Sequence, residues 1–186
     1  MKSLKLYQLL LGCKPAGRNT EQHDVFFAVG TCLKDLEQEI LNFWPEANGK
    51  IHLDAWREVT AVEGFSIQVV EKDKASEPSP NALFFLNLGG YKPDEFDELH
   101  YRMLLIGAGK AEVIKKAKES AFFLHTGFEG APSHIDDKYG VDVDDIFEIE
   151  DVLPAGIKEN YKIVISPAET TFKDEIHLGY FPLKNL

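Results

Sequence analysis

Cysteine is scarce in this chain: two of 186 residues, Cys13 and Cys32. That excludes the disulfide framework on which small secreted domains depend. Long apolar runs are missing too, and no segment approaches the roughly 20 residues a membrane-spanning helix needs. The opening "MKSLKLYQLLLGCKP" sets Lys2 and Lys5 before an apolar run, as a secretion signal does. Gln8 interrupts that run and no small-x-small cleavage site follows it, so it reads as a first strand. A reducing cytoplasm is the expected setting. Positive charge is outnumbered: 20 Lys and Arg face 31 Asp and Glu, a net charge of −11. Phosphate backbones are repelled on average, which argues against nucleic-acid binding through a general basic surface. A basic protein partner is compatible with this charge.

What is present is enough apolar content, 44% of residues, for a globular core. The chain also repeats itself. "LYQLLLGCKPAGRNTEQHDVFFAVG" from Leu6 matches "LFFLNLGGYKPDEFDELHYRMLLIG" from Leu83. At this offset of 77, Gly12 meets Gly89, Glu21 meets Glu98, His23 meets His100 and Gly30 meets Gly107. Lys14-Pro15 meets Lys92-Pro93 with a slip of one. Farther on, "HLDAWREVTAVEGFSIQVV" aligns with "HIDDKYGVDVDDIFEIEDVL" at an offset of 82, pairing His52 with His134 and Asp54 with Asp136. Two copies are too few for a solenoid, so a pseudo-twofold pair is expected.

Hydrophobic periodicity gives the elements of each copy. Leu6–Leu11 and Val25–Val29 read as strands, and Leu33, Leu36, Ile40, Phe43 and Trp44 recur at helical spacing. Thr31 is placed to cap that helix and Pro45 to stop it. Val59–Val62 and Phe65–Val70 read as two more strands joined tightly at Glu63-Gly64. The second copy repeats the order, with a helix over Lys110–Leu124. The fold class is therefore α+β: two similar β-β-α-β-β units forming antiparallel or mixed sheets with helices on one face. The expected boundaries are residues 1–70 for the first unit, 71–81 for a polar linker and 82–153 for the second unit. Residues 154–186, with "YKIVIS" and "EIHLGYFPL", are expected to form a C-terminal strand pair.

The run "LLLGCKPAGRNTEQHDVFFAVG", a helix, and then "HLDAW" resembles the family catalogued as domain of unknown function 1543. "HIDDKYGVDVDDI" is similar to the distal motif of the same family, so the chain looks like a two-copy member. The second copy lacks counterparts of Gly17, Arg18 and Asp24. The resemblance implies no reaction, substrate or cofactor.

The chemistry therefore rests on residues. Each copy supplies Glu-x-His at the end of the loop and His-x-Asp after the helix: Glu21, His23, His52 and Asp54, then Glu98, His100, His134 and Asp136. Residues i and i+2 of a strand share a face, so each motif presents a paired imidazole and carboxylate. Such pairs serve a general base or a metal site, although these spacings match no named zinc signature. More commonly they serve as structural hydrogen bonds, and that is the favoured reading of them from the sequence. Lys14, Arg18 and Asn19 on the Gly-bearing loop are candidates for holding a phosphate or carboxylate, with Lys92 the remaining cation in the second copy. Asp24 completes the loop set. "IGAGKAE" fails the phosphate-loop pattern, since position 104 is Leu and 111 is Ala. Both thiols are expected to be buried or semi-buried; if either reacts, Cys13, between Gly12 and Lys14, is the candidate. "DVDDIFEIED" reads as a solvated acidic face. The favoured function is a binding or regulatory module with a polar loop site for a small anionic ligand or partner. The alternatives are a metal-dependent hydrolase using the His and carboxylate set, and an acidic interaction or inhibitor protein. The cofactor and the oligomeric state both stay open.

Overall fold

The computed structural model describes residues 3–75, 79–90, 94, 96–125, 142–168 and 172–186. Among them the chain runs β1 (Lys5–Cys13), β2 (Gln22–Gly30), α1 (Glu37–Phe43), β3 (His52–Glu58), β4 (Ala61–Val62) and β5 (Phe65–Glu71). It continues with β6 (Ala82–Gly90), β7 (Leu99–Gly107), α2 (Lys110–His125), β8 (Asp142–Glu148), α3 (Ile149–Val152), α4 (Ala155–Asn160), β9 (Tyr161–Pro167) and β10 (His177–Pro182). The strand pairs are antiparallel, and the fold class is α+β as the periodicity indicates. No helix of the described residues is long and apolar enough to cross a membrane. The chain forms two compact units, Met1–Pro78 with Leu153–Leu186, and Ser79–Val152.

In the first unit β1 is central in a sheet of order β10-β3-β1-β2. Successive side chains alternate across a strand. Tyr7, Leu9, Leu11 and Cys13 therefore share one face, and all four are buried. Leu36 and Ile40, from the segment over that face, are buried in the same core, with Leu53 from β3. Each such side chain contributes about 1.5–3 kcal/mol when fully buried. Leu6, Gln8, Leu10 and Gly12 point to the opposite face, where Leu6 and the register neighbours Phe27 and Val29 are buried as well.

The predicted helix is divided. Leu33–Leu36 form a 3-10 turn, α1 follows, and Pro45 begins another 3-10 turn after Trp44. Thr31 is not the cap. Its hydroxyl donates to Asp35 Oδ2 at 2.6 Å, and the Thr31 N–H donates to the same oxygen at 2.9 Å. A carboxylate reaching back satisfies N–H groups that a helix start leaves open. β4 and β5 form the expected tight hairpin, with Glu63 and Gly64 both at positive φ.

The C-terminal strands do not pair with each other. β9 pairs with β5, and β10 pairs with β3 at the sheet edge. Both belong to the first unit, each completing an edge there that would otherwise carry open N–H and C=O groups. Asp174 ties down the approach to β10: its carboxylate accepts from Thr60 Oγ1 at 2.6 Å and from the Thr60 N–H at 3.1 Å.

The second unit has a three-stranded sheet of order β7-β6-β8. Its core packs Phe84, Leu86 and Leu88 against Val113 and Ala117 of α2. The β6–β7 register repeats that of β1–β2 at an offset of 77: Gly89 pairs with His100 as Gly12 pairs with His23. The helix start repeats too. Glu112 Oε2 accepts from the Ala108 N–H at 2.9 Å, as Asp35 does from Thr31. Among the described residues β8 leads into α3, not into another strand, so the β-β-α-β-β order does not recur within Ser79–Val152.

Candidate functional site

Gly12 organises one end of the first sheet, on the face opposite Leu36 and Ile40. On one side its register partner is His23 of β2; on the other it is His52 of β3. Register partners project to the same face, so both imidazoles flank a residue without a side chain. A Cβ at Gly12 would lie 2.5 Å from both His52 Nε2 and Asp54 Oδ2. Glycine is required here for close approach, not for backbone conformation.

A β-bulge adds the carboxylate. Leu53 pairs with Leu11 and Ala55 with Leu10, which leaves Asp54 as the extra residue of β3. Such an insertion bends the strand and re-aims a side chain. Asp54 Oδ2 lies 3.1 Å from His23 Nε2, and Asp54 Oδ1 lies 3.3 Å from His52 Nε2. Glu21, at the loop end, places Oε1 3.3 Å from His52 Nε2 and Oε2 3.8 Å from His23 Nε2. The His52 side chain is 8% exposed, while His23 and Glu21 are open to solvent at 38% and 46%. Asp54 Oδ2 is buried and takes no well-aligned hydrogen bond among the described residues. Tyr180 of β10 lays its ring 4.3 Å from that of His52 and is itself exposed. Next to it, Trp56 and His177 stack at 3.8 Å.

Glu21, His23, His52 and Asp54 thus come together. The remaining loop residues do not join them. Asp24 pairs with Leu11, on the other face, and its Oδ1 accepts from the Val25 N–H at 2.7 Å. Lys14, Arg18 and Asn19 are exposed, and Arg18 closes a turn from Pro15 through Gly17 at φ +80°. Cys13 is buried, and burial pushes its thiol pKa up, with Glu21 and Glu46 adding to the shift. The two thiols are thus buried and half-buried as expected, and Cys13 is disfavoured as the more reactive one, since the thiolate is the reactive form. Among the described residues, no group of three or more His, Cys, Asp or Glu is spaced to hold a metal ion.

The second unit places a different set at the equivalent positions. The bulge recurs: Val143 pairs with Leu88 and Asp145 with Asn87, leaving Asp144 extra. Asp142 stands opposite Gly89, where His52 stands opposite Gly12. The register counterparts of His52 and Asp54 are therefore Asp142 and Asp144, an offset of 90 and not 82. His134, Asp136 and Lys92 lie outside the described residues. His100 Nδ1 is 3.3 Å from Asp144 Oδ2 and 3.3 Å from Asn87 Nδ2, which also donates to Asp145 Oδ2 at 3.1 Å. A Cβ at Gly89 would lie 2.5 Å from Asp144 Oδ2. Glu98 lies just before β7, as Glu21 does before β2. Asp144 and Asp145 are exposed, in keeping with the reading of "DVDDIFEIED" as a solvated face, and also contact His100 and Asn87. Sequence reasoning missed Gly12, Asn87 and Tyr180. The Gly12–Gly89 match was a usable signal, because a glycine repeated near a strand end marks close approach; nothing marked Tyr180.

No curated protein matches the chain. Among solved structures, the fold is similar to the crystal structure of protein Il1583 from Idiomarina loihiensis, with a TM-score of 0.62 and 19% identity over 97% of each chain. That likeness concerns the fold alone. Residues 18–69, which carry Glu21, His23, His52 and Asp54, match the model of a family described as Domain of Unknown Function (DUF1543), and this supports membership of that family.

Proposed function

We propose that this chain is a soluble binding or regulatory module carrying two copies of one unit, with its principal site at Glu21, His23, His52 and Asp54. The observation that supports it is His52: a nearly buried imidazole whose Nε2 stands 3.3 Å from each of two carboxylates. Bringing the carboxylates of Glu21 and Asp54 against the nearly buried His52 costs some desolvation. Lys14 and Arg18, exposed on the adjoining loop, are the candidates for an anionic part of the ligand or partner. The hydrolase reading has no ready metal-ligand set among the described residues to support it. The inhibitor reading is weakened because Asp144 and Asp145 are engaged with His100 and Asn87.

A thermal-shift screen of small molecules on the wild type and His52→Gln tests the reading. Compounds that raise the wild-type melting temperature and leave His52→Gln unchanged support it. Compounds that stabilise both proteins equally, with no compound selective for the wild type, count against it.

A further inference from the structure

The polar cluster of the first unit is short of hydrogen-bond donors. A neutral imidazole carries one N–H, so His23 and His52 offer at most two protons through Nε2. Facing them are four carboxylate oxygens, those of Glu21 and Asp54, at 3.1–3.8 Å. Each of those oxygens accepts about two hydrogen bonds. Asp54 Oδ2 is buried and still lacks an aligned donor. The second unit has the same imbalance by a different route. Asn87 is buried, its Oδ1 has no hydrogen bond among the described residues, and its Nδ2 serves both Asp145 and His100. His100 Nδ1 faces a donor and a carboxylate at the same 3.3 Å and satisfies only one of them.

Resting on the reading of this cluster as the binding site, we infer that the group it recognises is a small organic cation rich in N–H donors: an ammonium or guanidinium. Two carboxylates supply the counter-charge and accept its hydrogen bonds, and such charge-assisted bonds are the stronger kind. The exposed ring of Tyr180 lies 4.3 Å from that of His52. An anion at this point would meet Glu21 and Asp54 first and be repelled. A metal ion is less well served, because the donors are not spaced to hold one among the described residues. The net charge of −11 draws cations towards the whole protein.

The test is a titration of the full chain, followed through the histidine ring resonances. Agmatine, which carries both an ammonium and a guanidinium, is the probe; inorganic phosphate and Zn²⁺ are added in separate arms. Agmatine is expected to shift His23 and His52 saturably, with affinity reduced about tenfold or more in Asp54→Asn and in Glu21→Gln. Glu21 is exposed, so Glu21→Gln remains informative if Asp54→Asn fails to fold. Phosphate or Zn²⁺ moving these rings where agmatine does not would overturn the cation assignment and leave the binding site standing. If none of the three probes moves them, both the assignment and the site are contradicted.

Discussion

Gly12 and His52 are register partners on β1 and β3, and the imidazole occupies the space that a side chain at Gly12 would need. The alanine variant therefore tests whether the cluster is built on this one missing side chain. Gly12→Ala should lose about 1–3 kcal/mol of stability through overpacking and shift both His23 and His52 ring resonances. Gly109→Ala is the control, since no atom lies within 4 Å of its added carbon. Its stability should stay within about 0.5 kcal/mol of wild type by denaturant unfolding.

Asp174 supports the strand that carries Tyr180. Replacing it with Ala removes acceptors from Thr60 Oγ1 and from the Thr60 and Ala61 N–H groups. The expected loss is about 1–3 kcal/mol, with faster amide exchange at Thr60 and Ala61. Unchanged exchange at those two amides would show that the carboxylate does not hold the segment.

Hydrogen bonds from the Thr31 hydroxyl and the Thr31 N–H hold the Asp35 carboxyl below the ordinary aspartate range. A depressed folded pKa gives stability that is present above the unfolded value and lost as pH falls through the folded one. Carboxyl-carbon NMR should find Asp35 titrating below about 3.9, and closer to that value in Thr31→Ala. An unmoved Asp35 midpoint in the variant would contradict the assignment to Thr31.

Burial, and then Glu58, push Tyr7 up to about 12. The raised value means stability is intact below the unfolded pKa of about 10 and is lost as pH rises from there towards about 12. Tyr7→Phe should therefore show a shallower loss over that interval in denaturant midpoints. Equal slopes in the two proteins would remove Tyr7 as the cause.

The two thiols separate by burial. Cys32, half-buried, should alkylate in the native protein while Cys13 reacts only on unfolding. Peptide mapping after brief iodoacetamide treatment distinguishes them; native labelling of Cys13 first would contradict its placement in the core.

Much of the fold was legible in the sequence because the apolar runs of β1, β2, β6 and β7 are continuous and recur at a fixed offset of 77. The Glu-x-His and His-x-Asp pairs of the first copy were legible for the same reason: short spacing within one strand or strand end. β3 was harder. The bulge at Asp54 breaks its alternation, so the residues from His52 to Glu58 carry no clean period of two. The second copy misled because "HLDAW" and "HIDDK" look alike, whereas strand pairing places Asp142 and Asp144 opposite the β6 glycine and bulge. Likeness in a few letters outweighed a register that only tertiary pairing specifies. The destinations of β9 and β10 depend on which edges lie open, and nothing local to residues 161–182 encodes that.

The most direct measurement is a long-range ¹H–¹⁵N spectrum of the imidazole rings in the wild type and in Asp54→Asn. If Asp54 joins His23 and His52 into one site, the Nε2 resonances of both rings move together while those of His100 and His177 stay in place. Movement of only one of the two rings, or of neither, would contradict a shared cluster on the face opposite the helix.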